Sequence, residues 1–169
     1  MTPGDEIALR VRKNRGRRLW PEFKRALAVA IDEEISDSQL LSIADTESLR
    51  ELYFERLKHC AEVLHLERDA KGLESLLRVL RDMATRLSQF EIVLLHQHDR
   101  LTGALRVRTG GVLLNALRVW AVVGQDLFLT TPAAADGLCL EFSHLSEGDR
   151  YELHLWGRFR QELPQGMGI

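Results

Sequence analysis

The sequence predicts an α+β fold in which N-terminal helices pack on a mainly antiparallel C-terminal sheet of about five strands, with one intervening helix. Three observations carry this. Apolar residues recur at helical spacing through the first half of the chain. From residue 90 the pattern changes to short runs rich in β-forming residues. The last three of these runs can be laid side by side with their apolar residues on one face. The 169 residues, 45% hydrophobic and 28% charged, suit a single domain with a sizeable core and exclude a disordered chain.

Thr2-Pro3 is expected to cap and start a short helix, since proline suits the first helical turn. Gly16 marks a break, and Pro21 opens a second helix through Phe23, Leu27, Ala30 and Ile31 that ends near Ile35. Ser36 and Ser38 are cap-like, and a short helical turn is expected to carry Leu40, Leu41 and Ile43. The strongest helical signal covers 46–66, where Leu49, Leu52, Leu57, Cys60 and Leu64 form one stripe. A break around Asp69-Ala-Lys-Gly72 leads to a helix over roughly 72–87, striped by Leu73, Leu76, Leu77, Leu80, Met83, Ala84 and Leu87. Joined by a short link, these two are expected to form an antiparallel helical hairpin.

Residues 90–95 (FEIVLL) read as a strand, followed by a turn region and a shorter run, 104–107, that can pair with either neighbour. A helix over 110–123 gathers Val112, Leu113, Ala116, Leu117 and Trp120 on one face and ends at Gly124. Strands are expected at 127–130, 138–142 and 151–156. A hairpin centred on Ser146-Glu-Gly-Asp149 pairs Leu140 with Leu155, Phe142 with Leu153 and His144 with Tyr151. A second across residues 132–137 pairs Leu129 with Leu140 and Leu127 with Phe142. Both registers put the same residues of the middle strand on the apolar face, so an antiparallel meander with helices covering one face is expected. The chain divides into a helical half (about 1–88), a sheet-forming half (about 89–160) and a loose tail over 161–169.

The net charge of −2 hides an asymmetry: residues 1–25 hold eight Lys/Arg against three Asp/Glu, and the remainder fifteen against twenty-two. Cys60 and Cys139 stand in unlike contexts and make no disulfide framework. With no long apolar start and no run near the ~18 apolar residues that span a bilayer, the expected home is the cytoplasm.

Each candidate site has a structural competitor. In the expected register Glu141 opposes His154, with Cys139 beside Trp156 and Ser143 beside Glu152. A carboxylate on an imidazole begins a general-base device, for which Cys139 would be the nucleophile; the alternative is a solvent-facing cross-strand pair. His96, His98 and Asp99 supply three potential zinc ligands without a fourth, and His59, Cys60 and Glu62 form no i, i+4 set. Arg108-Thr-Gly-Gly111 before a helix looks like a phosphate-cradling turn, but no Lys-Ser/Thr follows; Thr109 as a helix cap explains it more simply. Arg10, Arg12, Lys13, Arg15, Arg17 and Arg18, with Trp20 and Phe23 nearby, combine phosphate-binding charge with aromatics able to stack on bases. Against this stands a solvated helix face. Asp126, Asp136, Glu141, Glu147, Asp149 and Glu152 gather near strand ends, as turn residues do or as a surface meeting a basic protein would.

From Ala104 to Phe159 the chain runs ALRV, a helix with Trp120 at its centre, GQDLFLTT, DGLCLEFSHL and YELHLWGRF. This order resembles the sheet-forming end of small bacterial immunity proteins, which neutralise the toxins of contact-dependent growth inhibition and related polymorphic systems. The resemblance covers about a third of the chain and is one of pattern. It implies a non-enzymatic binder that docks on a toxin's active site or a nearby surface. The expected function is therefore a protein-binding inhibitor with no catalytic residues, metal or cofactor, contacting its partner through Asp126, Asp136, Glu141, Glu152 and Trp156. The alternative is a nucleic-acid-binding or regulatory protein using residues 10–18.

Overall fold

The computed structural model describes residues 3–124, 126–145 and 148–163. Its organising strand is β2 (Glu91–Leu95), whose sequence EIVLL buries every residue but the first. A strand apolar on both faces must be covered on both, and the chain meets that demand with three layers. Among the described residues the sheet has six antiparallel strands. Across it run β1 (Val63–Glu67), β6 (Gly148–Trp156), β5 (Gly137–Leu145), β4 (Leu127–Thr130), β2 and β3 (Leu105–Arg108), in that order. The fold class is α+β, as expected.

One face carries Leu64, Ile92, Leu94, Leu105, Leu127, Leu129, Leu138, Leu140, Leu153 and Leu155. Against it pack α1 (Pro3–Ile31), α3 (Ala70–Arg86), α5 (Thr109–Leu114) and α6 (Ala116–Val123). The opposite face carries Val93, Leu95, Phe128 and Cys139, covered by Leu49 and Tyr53 of α2 (Ile43–Lys58). Tyr53 donates its hydroxyl to the Leu138 carbonyl at 2.9 Å and sits within a ring cluster of Phe54, Phe128 and Trp156, which fixes α2 across β4 and β5. The β3 edge is closed by residues 39–41: Leu40 bridges Leu105, and the Leu41 amide donates to the Ala104 carbonyl. Short helices α4 (Asp99–Thr102) and α7 (Arg158–Gln161) fill the corners.

Several expectations are corrected. The stripe over 46–66 is not one helix: α2 stops at Lys58 and residues 63–67 form a sixth strand, so the helical hairpin does not exist. Val63-Leu-His-Leu-Glu67 alternates, and Leu64 and Leu66 face Leu153 and Tyr151 of β6, a pairing no local periodicity reveals. The break expected around residues 69–72 is narrower: Asp69 caps the following helix, accepting the Gly72 amide at 2.7 Å. The meander forms, but both hairpins are displaced by two residues: Leu140 faces Leu153 and Leu127, and Leu138 faces Leu155 and Leu129. An even displacement keeps every side chain on its expected face. The turn expected at 146–149 falls partly outside the described residues, its flanking pair being Leu145 and Gly148. The helix over 110–123 is two helices broken at Asn115, and it ends as expected at Gly124, whose φ of 72° suits glycine. Leu40 and Leu41 lie in extended chain after a single 3₁₀ turn over Asp37–Gln39. Of the expected loose tail, residues 164–169 lie outside the described set, while α7 extends through Gln161.

Gly16 does not break α1, and Pro21 lies inside it. Buried positions recur along the helix at Gly16, Trp20, Phe23, Leu27 and Ala30, so tertiary packing overrides the two poor helix formers. Gly16 is needed for closeness: a Cβ there would overlap the Leu101 carbonyl oxygen of α4. In an exposed helix Gly→Ala stabilises by about 1 kcal/mol. Gly16→Ala is expected to do the opposite, costing about 1–3 kcal/mol through overpacking, as read by urea denaturation.

Candidate functional site

On the face covered by α2, the helix spans only part of the sheet width. Beyond it, β5 and β6 present polar side chains among apolar ones. Glu141 stands directly opposite Glu152, and Cys139 directly opposite His154. The expected Glu141–His154 pair is therefore diagonal: His154 Nε2 lies 3.9 Å from Glu141 Oε2 and 3.7 Å from Glu152 Oε2. The Cys139 thiol donates to Glu141 Oε1 at 3.2 Å, and Nδ1 of His65, on β1, lies 3.4 Å from a Glu152 carboxylate oxygen. Side-chain exposure is 16% for His154 and Glu152 and 32% for Glu141. Both ring nitrogens of His154 are buried and without a hydrogen-bond partner. Among the described residues, Glu141, Glu152 and His154 form the one set of three whose ligand atoms lie within 4.8 Å of one another.

Two carboxylates directly opposite across an antiparallel pair repel, which is an arrangement that folding alone disfavours. Cys139 lacks the ready thiolate that a nucleophile needs. Burial first, and the Glu141 carboxylate second, push its thiol well above the ordinary range, so it stays protonated and acts as a donor. The tyrosine beside it, Tyr53, is likewise raised by burial.

The other sequence candidates go separate ways. Asp136 accepts the Arg158 amide at 2.8 Å, and Trp156 donates its indole N–H to the Ala134 carbonyl at 3.1 Å and packs at a tilt against Tyr53; both are tied into the fold. Asp126 is half-buried just before β4. Ser143 faces Arg150, and Glu147 lies outside the described residues. His59 pairs with Glu55 on the surface of α2, apart from Cys60, whose thiol contacts the Leu155 carbonyl. Thr109 is not the helix cap; it is the first residue of α5, and its hydroxyl donates to the Phe90 carbonyl at 2.7 Å. Glu33 lies over Gly111 and pairs with Arg108, placing a carboxylate where a phosphate would sit.

His96 and Asp99 are held inside the fold, with the His98 amide bonded to the His96 ring. Asp99 is buried, bonded to Arg50 at 2.7 Å and to the His96 amide. His96 stacks on Phe23 with centroids 4.5 Å apart. Its Nδ1 accepts the His98 amide, so the proton sits on Nε2, which donates to the Gly103 carbonyl. A second ring proton would face that amide.

The basic segment lies on α1. Arg12 pairs with Glu47 at 2.7 Å, while Arg10, Arg15 and Arg18 are exposed. Trp20 and Phe23 are buried, with the Trp20 indole N–H bonded to Asp37, so neither offers a ring to a base. Lys13 and Arg17 instead rim an open groove of about 490 Å³ between α1 and residues 40–44, lined by Leu9, Trp20, Leu40, Leu41, Ile43 and Leu101. Sequence reasoning missed this groove, because its walls come from three separate segments.

Burial holds the His96 imidazole at about 3, far below its ordinary 6.5. The unfolded chain therefore takes up the proton first, and stability present above pH 6.5 is lost as pH falls toward 3. Between pH 7 and pH 5 the intact protein is expected to lose about 2 kcal/mol more than His96→Gln, measured by chemical denaturation at each pH.

No protein-family model, curated protein or solved structure matches this chain.

Proposed function

We propose that this chain is a protein-binding inhibitor, of the immunity-protein kind that neutralises a secreted bacterial toxin by occluding its active or substrate-binding surface. The observation that carries the reading is the open apolar groove beside α1, bordered by Lys13 and Arg17. A water-facing trough lined by Leu9, Leu40, Leu41, Ile43 and Leu101 gains free energy when another protein covers it. Ile7 and Val11 of α1 are 67% and 61% exposed and Leu52 of α2 is 52% exposed, so these helices carry further uncovered apolar surface. The cations bordering the groove complement an acidic rim on the partner and set its orientation.

The nucleic-acid alternative draws on the exposed Arg10, Arg15 and Arg18. It lacks the support of Trp20 and Phe23, which are engaged inside the fold. The two readings separate in one experiment: a native pull-down repeated with nuclease and high salt, followed by expression of any recovered protein with and without this chain. The inhibitor reading expects a stoichiometric protein that survives both treatments, is toxic alone and is harmless when co-expressed. It also expects Ala44→Arg, an exposed residue lining the groove, to weaken that complex at least about tenfold, while alanine at Arg10, Arg15 and Arg18 leaves it unchanged. Recovery of nuclease-sensitive material that washes off in salt and depends on those arginines transfers the function to nucleic acid.

A further inference from the structure

We propose that Glu141, Glu152 and His154 form a binding site for a divalent transition-metal ion on the polar end of the sheet, with zinc the best match. Three facts converge on it. The two carboxylates are Cα partners across β5 and β6 and repel unless a cation lies between them. Their Oε2 atoms both turn toward His154 Nε2, at 3.9 and 3.7 Å. His154 buries both ring nitrogens without a hydrogen bond, a costly state that an ion seated between it and the carboxylates would relieve.

The neighbours orient the ligands as outer-shell groups do. The Cys139 thiol holds Glu141 by Oε1, and His65 stands against Oε1 of Glu152, so in each carboxylate it is the other oxygen that faces the imidazole. Ligands around a four-coordinate zinc with bonds of about 2.0–2.1 Å lie roughly 3.3 Å apart; the imidazole lies 3.9 and 3.7 Å from the two carboxylates, and all three ligand atoms fall within 4.8 Å of one another, so side-chain adjustment closes the site. Two carboxylate oxygens and one imidazole nitrogen suit zinc or manganese; magnesium and calcium favour all-oxygen sets. Glu141, the most exposed of the three, leaves a side open for water to complete the coordination. The site lies away from the groove beside α1 and does not depend on what that groove binds.

The test is calorimetric titration of the chelator-stripped full chain with zinc, with magnesium in parallel and circular dichroism to verify folding. One saturable zinc site per chain is expected, with magnesium far weaker. Glu141→Gln and Glu152→Gln keep side-chain shape and should each weaken zinc by at least about 10–100-fold, and His154→Asn should do the same. His59→Ala, which removes the exposed Glu55–His59 pair, should change nothing. X-ray absorption of the zinc adduct should show nitrogen and oxygen neighbours without the sulfur distance of about 2.3 Å. Absence of a saturable site in the intact chain overturns the proposal, as does undiminished binding by the folded Glu141→Gln/Glu152→Gln protein. In either event the cluster is an imidazole lying close to two carboxylates with no ion between them. None of these outcomes bears on the inhibitor reading, whose test uses Ala44.

Discussion

The burial of β2 on both faces is the constraint from which the rest of this architecture follows. Ile92 and Leu94 point into the helical layer of α1, α3, α5 and α6, while Val93 and Leu95 point the other way and need α2. Neither set can be satisfied by a two-layer arrangement, so α2 has to cross to the far side of the sheet. The connection after it returns as β1, which lets α3 rejoin the first layer. Tyr53 secures this crossing, since its hydroxyl bonds a strand carbonyl while its ring fills the space between Phe128 and Trp156.

One helix cannot cover six strands. Over β2, β4 and the adjoining ends of β5 and β6 the α2 face of the sheet is apolar, with Val93, Leu95, Phe128, Cys139 and Trp156; farther along β5 and β6, and on β1, it turns to Glu141, Glu152, His154 and His65. This division has a physical logic, because residues that α2 does not shield remain within reach of water. Yet the polar group is more than a solvated surface. Glu152 and His154 are largely covered, and like charges face each other, so the strands carry an electrostatic cost that a simple Thr or Lys substitution would avoid.

Much of this was legible in the residues. Alternation placed Leu138, Leu140, Leu153 and Leu155 on one face and Cys139, Glu141 and His154 on the other, and the structure agrees. The absolute register was not legible, because a displacement by two preserves every face and only the loop lengths distinguish the alternatives. Glu141 and His154 came together even so, because diagonal neighbours are close. Strand β1 was hidden by competing periods: Leu57, Cys60 and Leu64 fit a helical stripe, and only β6 decides in favour of alternation. Gly16 and Pro21 read as punctuation; Leu101 packs closely against Gly16, and Pro21 is carried within the helix by the buried Trp20 and Phe23 beside it. The groove beside α1 was invisible for a related reason, since Leu9, Leu41 and Leu101 meet only in three dimensions.

The pairing of residues 63–67 with residues 150–154 has a consequence for how the chain is made. As it leaves the ribosome, β1 has no partner until nearly the whole sheet-forming region has emerged, and loop closure over so long a stretch is slow. Through that interval α2 and α3 flank a strand whose backbone has no partner. Synthesis thus passes through a state prone to strand-to-strand association with other nascent copies, and escape from it comes in a single late step when β6 docks.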